Sequence, residues 1–331
     1  MAYARSGALL AVKGPCAAAW IPGTPNTLVV ENLALGVKTL SLQPVGAGLR
    51  FLAMVEAPVA NQLATDATNR AVVVLDLETI PAGIARVVSE FAGKYADRAL
   101  ASDDGTRVAV LSHRGGRESI VEIWTLEKDS SATPLRSIAK LPWDGKLNGW
   151  YGEEIIATFR EGVLAIEASS GRQRAISTAE IGILEGEGLI YANRLWSPIM
   201  YVANRSGIGS LDIAPRHGPP NSSAQRTIVL ESVPILARGC YDNARHQAVF
   251  FTDSGRDVQV MNLDTGQPIR QYPHRGAGDE CVISPDGRWM VTWTKTVAML
   301  YDHAEGRAVT RSGSIALSPN WPKCRSTALV A

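Results

Sequence analysis

The histidines, cysteines, serines and arginines of this chain could make a nucleophile, a metal cage or an anion grip only if spacing brings them together. The five histidines, His113, His217, His246, His274 and His303, are scattered, and none shows the i,i+4 helical spacing of a metal pair. No Gly-x-Ser-x-Gly elbow is present to expose a serine nucleophile. Arg205-Ser-Gly-Ile-Gly-Ser210 is rich in glycine, but no helix follows it to hold a phosphate. The four cysteines, Cys16, Cys240, Cys281 and Cys324, form no Cys-x-x-Cys pair. They read as small buried hydrophobes, a usage that fits a reducing compartment. No catalytic residue, metal ligand or cofactor is therefore expected. Trp143 and Trp150, flanking Asp144-Gly-Lys-Leu-Asn-Gly149, read either as packing residues or as anchors for a partner.

Bulk properties exclude little else. The 331 residues carry 33 basic and 32 acidic side chains, a formal net charge of +1. That balance gives no whole-molecule electrostatic pull toward nucleic acid or a membrane surface, although a local patch stays open. With 46% apolar and 20% charged residues the chain can bury a full core. No apolar run approaches the roughly 20 residues needed to span a bilayer. Met1 to Gly23 is basic and acid-free, so a targeting peptide competes there with a strand around Ala8–Val12. The sequons at Asn204 and Asn221 matter only in a secreted protein.

The elements that must position these residues come from internal repetition. Glu280-Cys-Val-Ile-Ser-Pro-Asp-Gly-Arg-Trp-Met-Val-Thr-Trp293, followed by Val297-Ala-Met-Leu-Tyr-Asp302, reads as strand, turn, strand, turn, strand. The same grammar recurs from Leu100 to Thr125 and from Gly239 to Asn262. Weaker copies open near Ala17, Leu49, Leu147 and Leu189, and a last one opens at Ser314. Third strands end at Leu75-Asp76, Trp124-Thr125, Ile166-Glu167, Leu211-Asp212, Met261-Asn262 and Tyr301-Asp302; Gly171, Gly266 and Gly306 follow three of them. Cys16, Cys240 and Cys281 are each placed in a strand opening a repeat. No helix of normal length is expected, and Ala85-Arg-Val-Val-Ser89 reads as an outer strand.

The Ser-Pro-Asp-Gly turn, the third strand closing on an apolar residue plus Asp, and the trailing Gly resemble the WD40 repeat family. The resemblance covers nearly the whole chain, but no copy keeps the Trp-Asp dipeptide and the usual Gly-His pair is missing. It implies an all-β fold, a single β-propeller of four-stranded blades over residues 1–331. Repeat count gives eight blades, with seven the alternative. Because residues 314–330 supply only two strands, the strand around Ala8–Val12 is expected to complete the last blade and close the ring.

The resemblance also implies that the turns between second and third strands share one face. Arg70, Arg114, Arg117, Arg160, Arg205, Arg256 and Lys295 fall in those turns and could together receive a phosphate, a carboxylate or an acidic peptide. Asp66, Glu118, Glu161, Asp253 and Asp257 lie in the same turns, and mixed charge is also what an ordinary solvated surface carries. On the analogy of the fold, the expected function is a non-enzymatic scaffold for other proteins, a subunit of a larger complex in the cytoplasm or another reducing compartment. The alternatives are a small-ligand or enzyme site at the central channel and an anion- or nucleic-acid-binding face on the basic turns.

Overall fold

A computed structural model describes 28 strands between residues 2 and 308, with most of the turns that join them. Outside the described residues lie 309–331 and a set of internal stretches. The longer of these are 21–27, 31–37, 57–69, 77–85, 177–188, 192–198, 213–225, 229–238 and 274–279; the shorter include 114–117, 143, 160–161, 205–206, 252–256 and 294–297. The strands form seven four-stranded sheets, each an antiparallel meander in chain order. Sheet one runs from Ala2–Tyr3 to Leu28–Val30, sheet two from Lys38–Val45 to Arg86–Gly93, and sheet three from Ala96–Ala101 to Ala132–Pro142. Sheet four spans Lys146–Tyr151 to Gln173–Ile176, sheet five Leu189–Tyr191 to Arg226–Ile228, sheet six Gly239–Asp242 to Pro268–Pro273, and sheet seven Glu280–Ile283 to Arg307–Ala308.

Two of the expected repeat openings are displaced. Ala17 lies in Cys16–Trp20, the third strand of sheet one, and Leu49 lies just before Arg50–Glu56, the second strand of sheet two. Both positions fall on or beside apolar runs, Cys16–Trp20 and Arg50–Glu56, and neither repeat has the Ser-x-Asp-Gly turn that marks the junction in sheets three and seven. Cys16 is correspondingly in a third strand, not an opening one. The strand expected around Ala8–Val12 is Leu9–Lys13, flanked by strands Ala2–Tyr3 and Cys16–Trp20. Leu9–Lys13 pairs with Ala2–Tyr3 on one side and Cys16–Trp20 on the other, so N-terminal strands occupy both its edges. The eighth opening, at Ser314, is outside the described residues. All six anticipated third-strand endings lie at or within a residue of the observed ends, and Ala85-Arg-Val-Val-Ser89 overlaps the outer strand Arg86–Gly93.

The chain divides into two compact units: one holds sheets one to three and most of sheet four, the other sheets five to seven. In the first unit, apolar side chains of neighbouring sheets interleave. Leu52, Met54, Val72 and Val74 of sheet two meet Ala99, Val108 and Val110 of sheet three. Phe51, Ala53, Val55, Val73 and Leu75, pointing the opposite way, are buried too. A strand covered on both faces needs an unbroken apolar run, which is why Phe51–Val55 does not alternate.

The repeating turns explain themselves locally. In sheet seven the Ser284 hydroxyl donates to Asp286 Oδ1 at 2.6 Å, the Arg288 N–H donates to the same oxygen at 3.0 Å, and the Trp289 N–H donates to Ser284 Oγ at 2.8 Å. Ser102, Asp104, Thr106 and Arg107 repeat the pattern in sheet three. Burial pushes the Asp104 carboxyl up, but hydrogen bonds from Ser102 and Thr106, with the charge of Arg107, outweigh it and hold the group below its ordinary range. At the other turn, Asn262 Oδ1 accepts the N–H groups of Asp264 and Thr265, and Asp302 Oδ1 accepts that of Glu305. Gly266 and Gly306 then close those turns at φ of 70° and 68°, a left-handed conformation that glycine adopts without steric cost.

Candidate functional site

The described residue from the basic set is Arg70, and it leads to a chain of polar side chains in the first unit. Arg70 opens the third strand of sheet two. Its Nη1 donates to the carbonyl of Ala96 at 3.1 Å and to Asp97 Oδ1 at 3.2 Å, at the start of sheet three. The other carboxylate oxygen of Asp97 lies 3.5 Å from His113 Nε2, and His113 Nδ1 lies 2.6 Å from Ser119 Oγ. Register brings the last two together: His113 ends the second strand, Ser119 lies near the start of the third, and the two are direct cross-strand partners. The consistent proton arrangement has the Ser119 hydroxyl donating to Nδ1 and the Nε2–H facing Asp97.

Hydroxyl, imidazole and carboxylate in that order is the arrangement that activates a serine nucleophile. Here the hydroxyl is closed off, because Ser119 is 0% exposed and offers no path to a substrate carbonyl. His113 and Asp97 are exposed at 40% and 42%, so the outward part of the chain is an imidazole and a carboxylate shared with Arg70. Both ring nitrogens face protein partners and neither is free to ligate a metal. Among the described residues no group of three or more His, Cys, Asp or Glu side chains could hold a metal ion.

The remaining members of the basic set, Arg114, Arg117, Arg160, Arg205, Arg256 and Lys295, lie outside the described residues, as does Trp143. Trp150 is 1% exposed and donates its Nε1–H to the Gly152 carbonyl at 2.9 Å, which makes it a packing residue. Arg107 covers its ring at 5.4 Å and forms a bidentate pair with Glu153, both contacts 2.7 Å. Those bonds hold the Glu153 carboxyl below its ordinary range.

Two features of the second unit were not read from the sequence. Cys240 and Cys281, expected as separate thiols, are joined in a disulfide. They are 41 residues apart and each is the second residue of its sheet's first strand, so matching register in successive repeats was the available signal. His303, one of the five scattered histidines, is 0% exposed. Its Nδ1 is 3.4 Å from the Tyr272 hydroxyl, while its Nε2 is buried without a hydrogen-bond partner. Burial, then the charges of Arg270 and Arg245, drive its pKa down to about 4, against a smaller opposing effect of Asp302. Nothing in the local sequence Tyr301-Asp302-His303 distinguishes a buried imidazole from an exposed one.

No family model matches the sequence, and no curated protein matches it either. Solved structures do. The chain is similar to Saccharomyces cerevisiae Sqt1, a WD40 propeller protein, at 12% identity and a TM-score of 0.55, covering 92% of this chain and 81% of that one. The fold is of the β-propeller type and resembles WD40-like propellers. The propeller is also similar to a candidate 6-phosphogluconolactonase from Bacteroides fragilis, at 11% identity and a TM-score of 0.58 over 91% and 92% of the two chains. A prolyl endopeptidase structure matches at 16% identity and a TM-score of 0.56, covering 91% of the propeller but 48% of the endopeptidase chain. Identities this low speak to fold alone. Among the described residues of the propeller, no helix is long and apolar enough to cross a membrane.

Proposed function

We propose that this propeller is a non-enzymatic scaffold that holds other proteins in a larger assembly. The observation that carries the reading is the burial of Ser119. The one described constellation with the order of a hydrolase relay spends its hydroxyl inside the fold, fixing the imidazole that faces outward. Self-capped turns at Ser102–Arg107 and Ser284–Trp289 support it further, since they present polar side chains from a rigid frame. The similarity to a WD40 propeller agrees with this role by analogy of fold.

The test is affinity capture of the full chain from its native source, followed by sizing. Stoichiometric co-purification of one or more proteins is expected; a monomer with no partner would count heavily against the reading. The alternative, an enzyme, is favoured by the Ser119–His113–Asp97 order and by fold similarity to the lactonase candidate and the endopeptidase. A panel of ester, lactone and peptide substrates separates the two. Turnover that disappears in Ser119→Ala would establish the enzyme reading and overturn the scaffold.

A further inference from the structure

We propose that Cys240 and Cys281 are an oxidation site, and that the chain does its work in a compartment that keeps disulfides formed. The first strands of sheets six and seven pack side by side but belong to different sheets, so no ladder of backbone hydrogen bonds joins them. The disulfide crosses that seam. Its Cα atoms are 5.6 Å apart, within the roughly 4.4–6.8 Å that lets a bridge close without moving the backbone. Ladder pairing fixes both positions: Cys240 lies opposite Val249 and Cys281 opposite Thr292, each in its own sheet. Both cysteines rest against the cluster containing Val249, Val260 and Met290.

The chemistry balances with a protein disulfide as oxidant. One cysteine thiolate attacks a sulfur of that disulfide and releases its other sulfur as a thiolate. The second cysteine then attacks the mixed disulfide, forming the Cys240–Cys281 bond and displacing the oxidant's remaining thiolate. Two protons and two electrons leave this chain, and the oxidant ends as a dithiol. Such bonds persist in secreted, periplasmic or lumenal settings and are removed by the thiol pools of a reducing cytosol. Formation of the bond and location of the chain are therefore linked. This proposal differs from the reducing compartment expected from cysteine spacing, and it stands independently of the scaffold reading.

The test uses the full chain in its native source. Cells are acid-quenched and alkylated with N-ethylmaleimide without reductant, then fractionated and mapped by mass spectrometry. The expected result is one cross-linked peptide pair containing Cys240 and Cys281, with alkylation of either rising about tenfold or more only after reductant. That pair should be found in the secreted, periplasmic or lumenal fraction. Free alkylation of both cysteines at the outset would overturn the oxidation site. A cross-linked pair confined to the cytosolic fraction would overturn the assignment of compartment.

Discussion

Acidifying this protein should weaken it through His303. The imidazole is fully buried and its pKa is pushed from 6.5 to about 4. The unfolded chain therefore binds the proton more readily than the folded one, and stability rises with pH across that interval. The contribution of neutral His303 is intact above about pH 6.5 and is progressively lost as pH falls toward 4. Between pH 7.5 and 4.5 the loss comes to about 2–3 kcal/mol, from roughly 1.36 kcal/mol per pKa unit. Carboxylates held low, such as Asp104, Asp286 and Glu153, also lose stability in acid, so the parent curve alone is not decisive. His303→Asn removes the titration while keeping an acceptor near the position of Nδ1. Urea unfolding followed by tryptophan fluorescence, at half-unit pH steps, should show the parent falling about 2–3 kcal/mol further than the variant over that range. Parallel pH curves would refute the reasoning.

Reduction of the Cys240–Cys281 bond, or replacement of both residues by serine, should cost about 4 kcal/mol by the chain-entropy relation for a loop of some 41 residues, read as a lower urea midpoint. Arg107→Ala should cost about 1–2 kcal/mol, because Arg107 both pairs with Glu153 and covers Trp150, whereas Glu153→Ala, at a mostly exposed carboxylate, should cost under about 1 kcal/mol. Gly105 and Gly152 give a steric contrast measurable by thermal unfolding. Both have positive φ, but a Cβ on Gly105 would sit 3.0 Å from the Gly46 backbone while one on Gly152 meets nothing within 4 Å. Gly105→Ala should therefore cost about 2 kcal/mol or more and Gly152→Ala about 1; equal losses would show that the close approach to Gly46 is irrelevant.

Legibility in the sequence followed the range of the interactions. Third-strand endings were readable because their chemistry is local: Asp302 and Asn262 cap turns within three residues of themselves. The openings of sheets one and two were misplaced because an apolar run such as Cys16–Trp20 or Phe51–Val55 carries no mark of its place in the order of strands, and no Ser-x-Asp-Gly turn marks the boundary there. Arg70 was found by its position, but its pairing with Asp97 of the next sheet spans 27 residues of sequence and has no local trace. Trp150 was undecided between packing and partner until Arg107 was seen over it. The disulfide joins residues 41 apart on strands of different sheets, a proximity that cysteine spacing does not encode, and His303 shows that burial is settled by neighbours the sequence does not name.

The Ser-x-Asp-Gly turn also bears on how such a chain can arise and diverge. Its capping hydrogen bonds begin and end within six residues, in sheet three and again in sheet seven. A gene segment copied once thus carries the capping hydrogen bonds of the corner with it. Surrounding strands can then drift to almost any apolar sequence that fits the gap between sheets. Transplanting Ser284–Trp289 in place of Ser102–Arg107, a stretch of the same length, would show how far these corners are interchangeable parts.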